Sequence, residues 1–151
     1  MTADLTVLTC TIPGREDYLA RCVDSVRRQT VGVRSHLISS DDGTLGPEPK
    51  YNALARAVDS GWLAILDDDN YWLDKHVETI DSHFSGAETN CVDQSSAISA
   101  DAFRLVGGYR TDTDGRPMDQ DLWLRIARAG GRFLLVPEVT WFYSLRNTTS
   151  A

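Results

Sequence analysis

Trp62-Leu63-Ala64-Ile65-Leu66-Asp67-Asp68-Asp69-Asn70 is the stretch that decides how this chain folds. Five apolar residues run unbroken from Trp62 to Leu66, with Gly61 before them and Asp67 after. A strand with one wet face alternates apolar and polar residues. An unbroken run bounded by turn formers reads instead as a strand buried on both faces of a parallel sheet. The three aspartates then stand at that strand's carboxyl end, which is where open α/β sheets bind their ligands.

Residues 4–10 read as a strand that Pro13-Gly14 breaks. Leu19, Cys22, Val23 and Val26 recur at helical spacing, so 16–29 reads as an amphipathic helix. Residues 33–39 read as a second strand, followed by a turn-rich passage from Ser39 to Pro49. Residues 50–60 read as a helix with Leu54, Ala57 and Val58 facing inward, ended by Gly61. Beyond the acidic turn, 72–84 reads as a helix, 91–98 as a strand and 101–106 as a short helix. A Gly-rich turn at 107–116, a helix at 118–129 and strands at 132–136 and 139–144 complete the chain. Strand and helix alternate three times in the first half, which argues for an α/β domain with a mostly parallel sheet. No repeat, linker or low-complexity tract divides residues 1–151, so a single domain is expected.

Composition narrows the class. With 151 residues, 42% apolar and 25% charged, the chain can bury roughly 70% of its unfolded surface and build a real core. No segment approaches the ~20 apolar residues of a membrane helix, and Met1 to Asp4 carries no basic flank, so a cytoplasmic protein is expected. Cys10, Cys22 and Cys91 are odd in number and widely spaced, which reads as reduced thiols rather than a disulfide framework or zinc site. A formal charge of −7 disfavours nucleic acid as a partner, because phosphate backbones need a Lys/Arg surface.

The acidic excess is clustered at Asp41-Asp42, at Asp67-Asp68-Asp69, and at Asp119 with Asp121. Adjacent carboxylates repel and are kept either on a solvated surface or around a cation. In an extended segment Asp67 and Asp69 would share a side while Asp68 faces away. Such a pair suits Mg²⁺ or Mn²⁺, which take one or two carboxylates and complete their shell with water and phosphate. Asp-x-Asp is a common tripeptide that also serves as a solvated turn or helix cap; its place at the end of a buried strand favours a site. Asp41-Asp42-Gly43 can contact a ribose or base, or simply form a turn. Asp119 follows Pro117 at the start of a predicted helix, where the helix dipole keeps a carboxylate ionised. There it can cap the helix or take a proton from an acceptor hydroxyl. Arg15 and Lys50 lie near the same edge and can neutralise a diphosphate. Asp121 and Arg125, four apart, read as a surface ion pair, and His76 with His83 as a solvated helix face.

Taken in order, these pieces resemble the family 2 glycosyltransferases of the GT-A fold. The resemblance includes the opening strand from Val7, Pro13 and Arg15, and the stretch Ser25-Val26-Arg27-Arg28-Gln29-Thr30. Asp41-Asp42-Gly43-Thr44 is similar to the family's Asp-Asp-Gly-Ser turn, and Asn52-Ala53-Leu54 through Asp69-Asn70 to its helix–strand–Asp-x-Asp passage. Gly107-Gly108-Tyr109, then Asp119-Gln120-Asp121-Leu122-Trp123-Leu124-Arg125, resembles its Gly-Gly-Phe turn and Glu-Asp-x-Asp-Leu-x-x-Arg helix, with Met118 where the family places Glu. The resemblance implies a Rossmann-like three-layer sandwich with a mixed, mostly parallel central sheet. It implies that Pro13, Arg15, Asp41, Asp42, Lys50, Asn52, Asp67 and Asp68 bind a UDP-, GDP- or dTDP-linked sugar, and that Asp69 and Asp67 hold a divalent cation. Asp119 would be the base of an inverting transfer to an unknown acceptor hydroxyl. The chain is shorter than typical members, and a homo-oligomer is one way to complete its acceptor site.

Two other readings stay open at the level of sequence. A nucleotide-sugar-binding module of the same fold would carry these motifs without turnover. A sugar-phosphate nucleotidyltransferase would need a Gly-rich basic loop after its first strand, of which Thr11-Ile12-Pro13-Gly14-Arg15 is a poor version.

Overall fold

The computed structural model describes residues 1–83, 89–90 and 96–144. The apolar run forms strand β3 (Trp62–Ile65) beside the long central strand β1 (Thr2–Thr11). On its other side β1 pairs with β2 (Gly32–Ser40), and both neighbours run parallel to it. Helices α1 (Glu16–Arg27) and α2 (Pro47–Arg56) make the connections between these strands. Then follow β4 (Tyr71–Trp72), α3 (His76–Asp81), β5 (Thr89–Asn90), β6 (Ala97–Ser99), α4 (Ala100–Leu105), α5 (Met118–Arg128), β7 (Phe133–Leu134) and β8 (Trp141–Phe142). The main sheet has the order β2-β1-β3-β6-β5-β7. Only β6 runs against its neighbours, so the sheet is mixed but mostly parallel.

Burial on both faces follows from the sequence. Leu5, Thr6, Val7, Leu8 and Thr9 are all buried, as are Leu63, Ala64, Ile65 and Leu66. Alternate residues feed two cores. Leu8, Leu63 and Ile65 join Tyr51, Ala55, Phe103, Leu122 and Ile126 from α2, α4 and α5. Leu5, Val7, Ala64 and Leu66 join Cys22, Val26, Val77 and Ile80 from α1 and α3. Helices therefore cover both faces, and the architecture is three-layered. No helix among the described residues is long and apolar enough to cross a membrane.

Several boundaries differ from the sequence reading. Helix α2 starts at Pro47 because proline suits a first helical turn, where no backbone donor is lost. Tyr51 and Ala55 form its buried face; past its end at Arg56, Ala57 is exposed and Val58 is buried. The helix expected over 72–84 is split: Tyr71-Trp72 pairs antiparallel with Trp141-Phe142, and only His76–Asp81 is helical. His76 is buried rather than solvated, because its Nδ1 meets the Thr140 hydroxyl at 2.7 Å and its ring stacks on Trp72 at 4.2 Å. The late strands shrink to Phe133–Leu134 and Trp141–Phe142. Most of the strand expected over 91–98, with Cys91, lies outside the described residues.

Two histidines make the fold acid-sensitive. Burial, with the nearby Arg27 charge, pushes His36 down to about 4. Burial pushes His76 down to about 3, partly opposed by its bond to Thr140. Below about pH 6.5 the unfolded chain takes up protons that the folded chain refuses, so stability falls as pH drops from there towards 4 and is flat above. Urea unfolding midpoints are expected to stay level from pH 7.5 to about pH 6.5 and to decline from there to pH 5. A midpoint that rises on acidification would contradict the burial of both rings.

Candidate functional site

The strand order 2-1-3 makes β1 a topological switch point, with connections leaving to either side of it. The carboxyl ends of β1, β2 and β3 carry Thr11 to Arg15, Asp41 to Gly43 and Asp67 to Asn70. The structure brings these segments together. A cleft of about 430 Å³ is lined by Thr11, Arg15, Gly43, Lys50, Tyr51 and the three aspartates, among others. That volume lies within the range of small-molecule sites, roughly 300–1,000 Å³.

The acidic segment is a turn rather than a continued strand, closed by the Asn70 amide donating to the Asp67 carbonyl at 3.1 Å. The expectation that Asp67 and Asp69 share a side with Asp68 turned away therefore fails, because two-residue alternation requires extended backbone. Instead Asp68 and Asp69 both reach Arg15. Its Nη2 lies 2.5 Å from Asp68 Oδ1 and 2.8 Å from Asp69 Oδ2. Asp68 is only 2% exposed and also accepts the Thr11 hydroxyl at 2.7 Å. Asp67 accepts the phenol of buried Tyr51 at 2.5 Å. Burial, followed by the Asp67 charge, holds the Tyr51 phenol well above its ordinary range, so it remains a neutral donor. Serine 144 fastens the turn from behind: its amide donates to Asn70 Oδ1 at 2.9 Å and its hydroxyl to the Asp69 carbonyl.

The rim opposite is an Asx-type turn. Asp41 accepts the amides of Gly43 and Leu45 and the Lys50 ammonium at 2.9 Å. Chiefly the Lys50 bond lowers the Asp41 carboxyl below its ordinary value. Asp42 is exposed and accepts the Thr44 side-chain and backbone donors, which lower it as well. Lys50 is buried, so its ammonium is aimed into the cleft at a fixed place. Cys10 also lines the cleft, and burial pushes its thiol up to about 12, which makes it an inert neutral group.

Pro13, Asp41, Asp42, Asn52 and Asp119 are not part of this cleft lining, although Gly43 of the Asp41–Gly43 turn is. Pro13 is exposed on the loop after β1. Asn52 spends both ends of its amide on Tyr109, accepting its N–H at 2.9 Å and donating to its carbonyl at 2.8 Å. Gly108 beside it has φ +70°, and a Cβ there would meet the Asn52 amide oxygen and come within 2.9 Å of Phe103. Only glycine lets the turn approach α2 this closely. Asp119 sits in the first turn of α5 and accepts the Gln120 amide at 2.8 Å. It lines a second cavity of about 210 Å³ with Ile65, Ile98, Tyr109, Met118 and Trp123. Tyr51 of the cleft and Tyr109 of this cavity pack with ring centroids 5.9 Å apart, so the two spaces are neighbours.

The pair Asp121–Arg125 is buried rather than superficial. Both side chains are about one-tenth exposed, with Nε 2.7 Å from Asp121 Oδ2. Arg125 also donates to the carbonyls of Val106 at 2.5 Å and Gly108 at 2.6 Å, which locks α5 to the glycine turn.

Sequence reasoning missed Tyr51, Thr11 and Tyr109. Tyr51 stood between two residues already singled out, and its place on the buried face of α2 was the available signal.

A metal fits the cleft in a limited way. Among the described residues no group of three or more His, Cys, Asp or Glu side chains is arranged to hold a metal ion. The donors present are hard carboxylate oxygens of Asp67 and Asp69. They suit a cation such as Mg²⁺ that takes one or two carboxylates and draws the rest of its shell from water and phosphate.

No protein-family model matches the sequence, and no curated protein matches it. Solved structures do. S. aureus TarS 1-349 in complex with UDP-GlcNAc superposes with a TM-score of 0.81 at 8% identity, over 95% of this chain and 59% of that one. Mannosyltransferase PcManGT from Pyrobaculum calidifontis, in complex with GDP-Man and Mn²⁺, gives 0.81 at 12% identity, over 99% of this chain and 59% of that one. This chain thus spans under two thirds of the length of either. At such identities the likeness is one of fold, and the chain has the α/β GT-A fold of these glycosyltransferases.

Proposed function

We propose that residues 1–151 form a nucleotide-sugar-binding domain of the family 2 type that transfers a sugar with inversion to an acceptor hydroxyl. The observation that carries the proposal is the convergence of three strand-end segments on one cleft holding both carboxylates and cations. The comparison structures were solved with UDP-GlcNAc or with GDP-Man and Mn²⁺, which supports a nucleotide-sugar ligand for the same fold.

In this reading the base and ribose lie against the Asp41-Asp42-Gly43 rim, and Lys50 and Arg15 face the diphosphate. Asp69, with Asp67, would hold a divalent cation, which supplies positive charge to a departing diphosphate. Tyr51 fixes the Asp67 carboxylate through its phenol, and Ser144 fixes the Asp69 backbone. Asp119 takes the proton of the acceptor hydroxyl. The mostly apolar lining around Asp119 favours an acceptor that presents an apolar face beside that hydroxyl.

A binding module without turnover is the second reading, favoured by one observation: Asp119 lines a cavity apart from the cleft. Asp69→Ala tests the donor site common to both readings. Nucleotide affinity measured with Mn²⁺ is expected to fall at least tenfold, and affinity measured in EDTA to stay the same. Unchanged affinity in Mn²⁺ would remove the acidic turn from metal binding.

A further inference from the structure

Arg15 is an unusual neighbour for a metal-binding turn. One of its nitrogens, Nη2, makes both carboxylate contacts, to Asp68 and Asp69. Its Nε is buried with no hydrogen-bond partner. A guanidinium carries five donors in a planar fork that matches phosphate oxygens, and a buried donor without an acceptor is costly. The group is thus under-satisfied where it stands, inside a cleft of the right size for a nucleotide. Asp68, 2% exposed and bonded to Thr11, is a fixed anchor for it. Asp69 is the more exposed of the two partners, at 13% against 2%.

We infer that Arg15 is a resident counter-cation of the acidic turn, which releases Asp69 when a divalent cation and a diphosphate enter together and turns its fork to the diphosphate. The inference rests on the donor-site reading above. A guanidinium 2.8 Å from Asp69 repels a divalent cation seeking the same carboxylate. An incoming diphosphate removes that repulsion by giving Arg15 another anion. Cation and nucleotide therefore bind with positive coupling, and the cation alone binds weakly. Adventitious loading of the empty enzyme is suppressed by the same contact.

The test uses the whole chain and two probes, Mn²⁺ alone and a nucleoside diphosphate (UDP, GDP or dTDP) with Mn²⁺. Arg15→Gln is expected to bind Mn²⁺ alone at least tenfold more tightly than the unaltered chain, and the nucleotide at least tenfold more weakly. Opposite signs on the two probes distinguish this role from simple support, which would weaken both. Arg15→Lys keeps a cation but loses the fork, and is expected to fall between the two on each probe. Should Arg15→Gln not fold, Arg15→Lys decides alone: Mn²⁺ affinity raised threefold or more supports the inference, and equal or lower affinity overturns it. Equal or lower Mn²⁺ affinity in folded Arg15→Gln, with normal nucleotide binding by the unaltered chain, overturns only the role of Arg15. Failure of the unaltered chain to bind Mn²⁺ with any nucleotide overturns the donor-site reading and this inference with it.

Discussion

Asp119→Asn is expected to lower sugar transfer by about 10²- to 10⁴-fold, the usual contribution of a positioned general base. Nucleotide affinity is expected to stay within about twofold of the unaltered chain. The separation follows from geometry: Asp119 lines the apolar cavity and is not among the residues that line the cleft. The amide is isosteric and still accepts the Gln120 N–H, so helix α5 keeps its first turn. Equal transfer by variant and unaltered chain would remove Asp119 from the mechanism. Parallel loss of transfer and of nucleotide affinity would make it a structural residue.

Arg125→Ala carries the largest expected effect on stability. The side chain satisfies a buried carboxylate and two backbone carbonyls at once. Its removal leaves Asp121 charged and alone where it is 7% exposed. Breaking such a pair from one side costs about 3–5 kcal/mol, which for a chain of this size lowers Tm by roughly 10 °C. Arg125→Lys is expected to recover only part, because a compact ammonium cannot span three acceptors set for a guanidinium fork. Thermal unfolding of the three proteins checks this ordering. A loss under about 1 kcal/mol in the alanine variant would show that the pair behaves as the exposed pair its spacing suggests.

That pair illustrates where sequence stops being informative. A spacing of four places Asp121 and Arg125 side by side on a helix, but it is silent on what covers them. The cover is the turn at Val106 to Gly108, brought there by tertiary packing. His76 is the same case: the Thr140 hydroxyl and the Trp72 ring that bury it come from other elements of the chain. Two-residue strands such as β4 and β8 are too short to show any period, so the split of the helix expected over 72–84 had no local signal. The run Trp62 to Leu66 was legible because burial on both faces leaves a compositional trace in the strand itself. Once that strand and its parallel neighbours were placed, the meeting of Arg15, Lys50 and Asp67 to Asp69 on one edge followed from topology alone. What did not follow was the arrangement within the cleft. Arg15 lies between two carboxylates and Tyr51 holds the third, which depends on the tightness of the turn at Asp67 to Asn70 rather than on alternation along a strand.

The pairing of the cleft's charges also explains how three adjacent aspartates coexist. Each has a partner: Asp67 the Tyr51 phenol, Asp68 the Thr11 hydroxyl, and Asp68 and Asp69 together the Nη2 of Arg15. Lys50 and Asp41 balance one another on the facing rim. A diphosphate entering this space would meet two cations, Lys50 paired with Asp41 and Arg15 anchored on Asp68.

Calorimetric titration of the chain with UDP, GDP and dTDP, each in Mn²⁺ and in EDTA, tests whether the cleft is a nucleotide site. One of these nucleotides is expected to bind in Mn²⁺, and EDTA to weaken it at least tenfold. Failure of all three to bind in Mn²⁺ would contradict the assignment of the cleft as a nucleotide-sugar site.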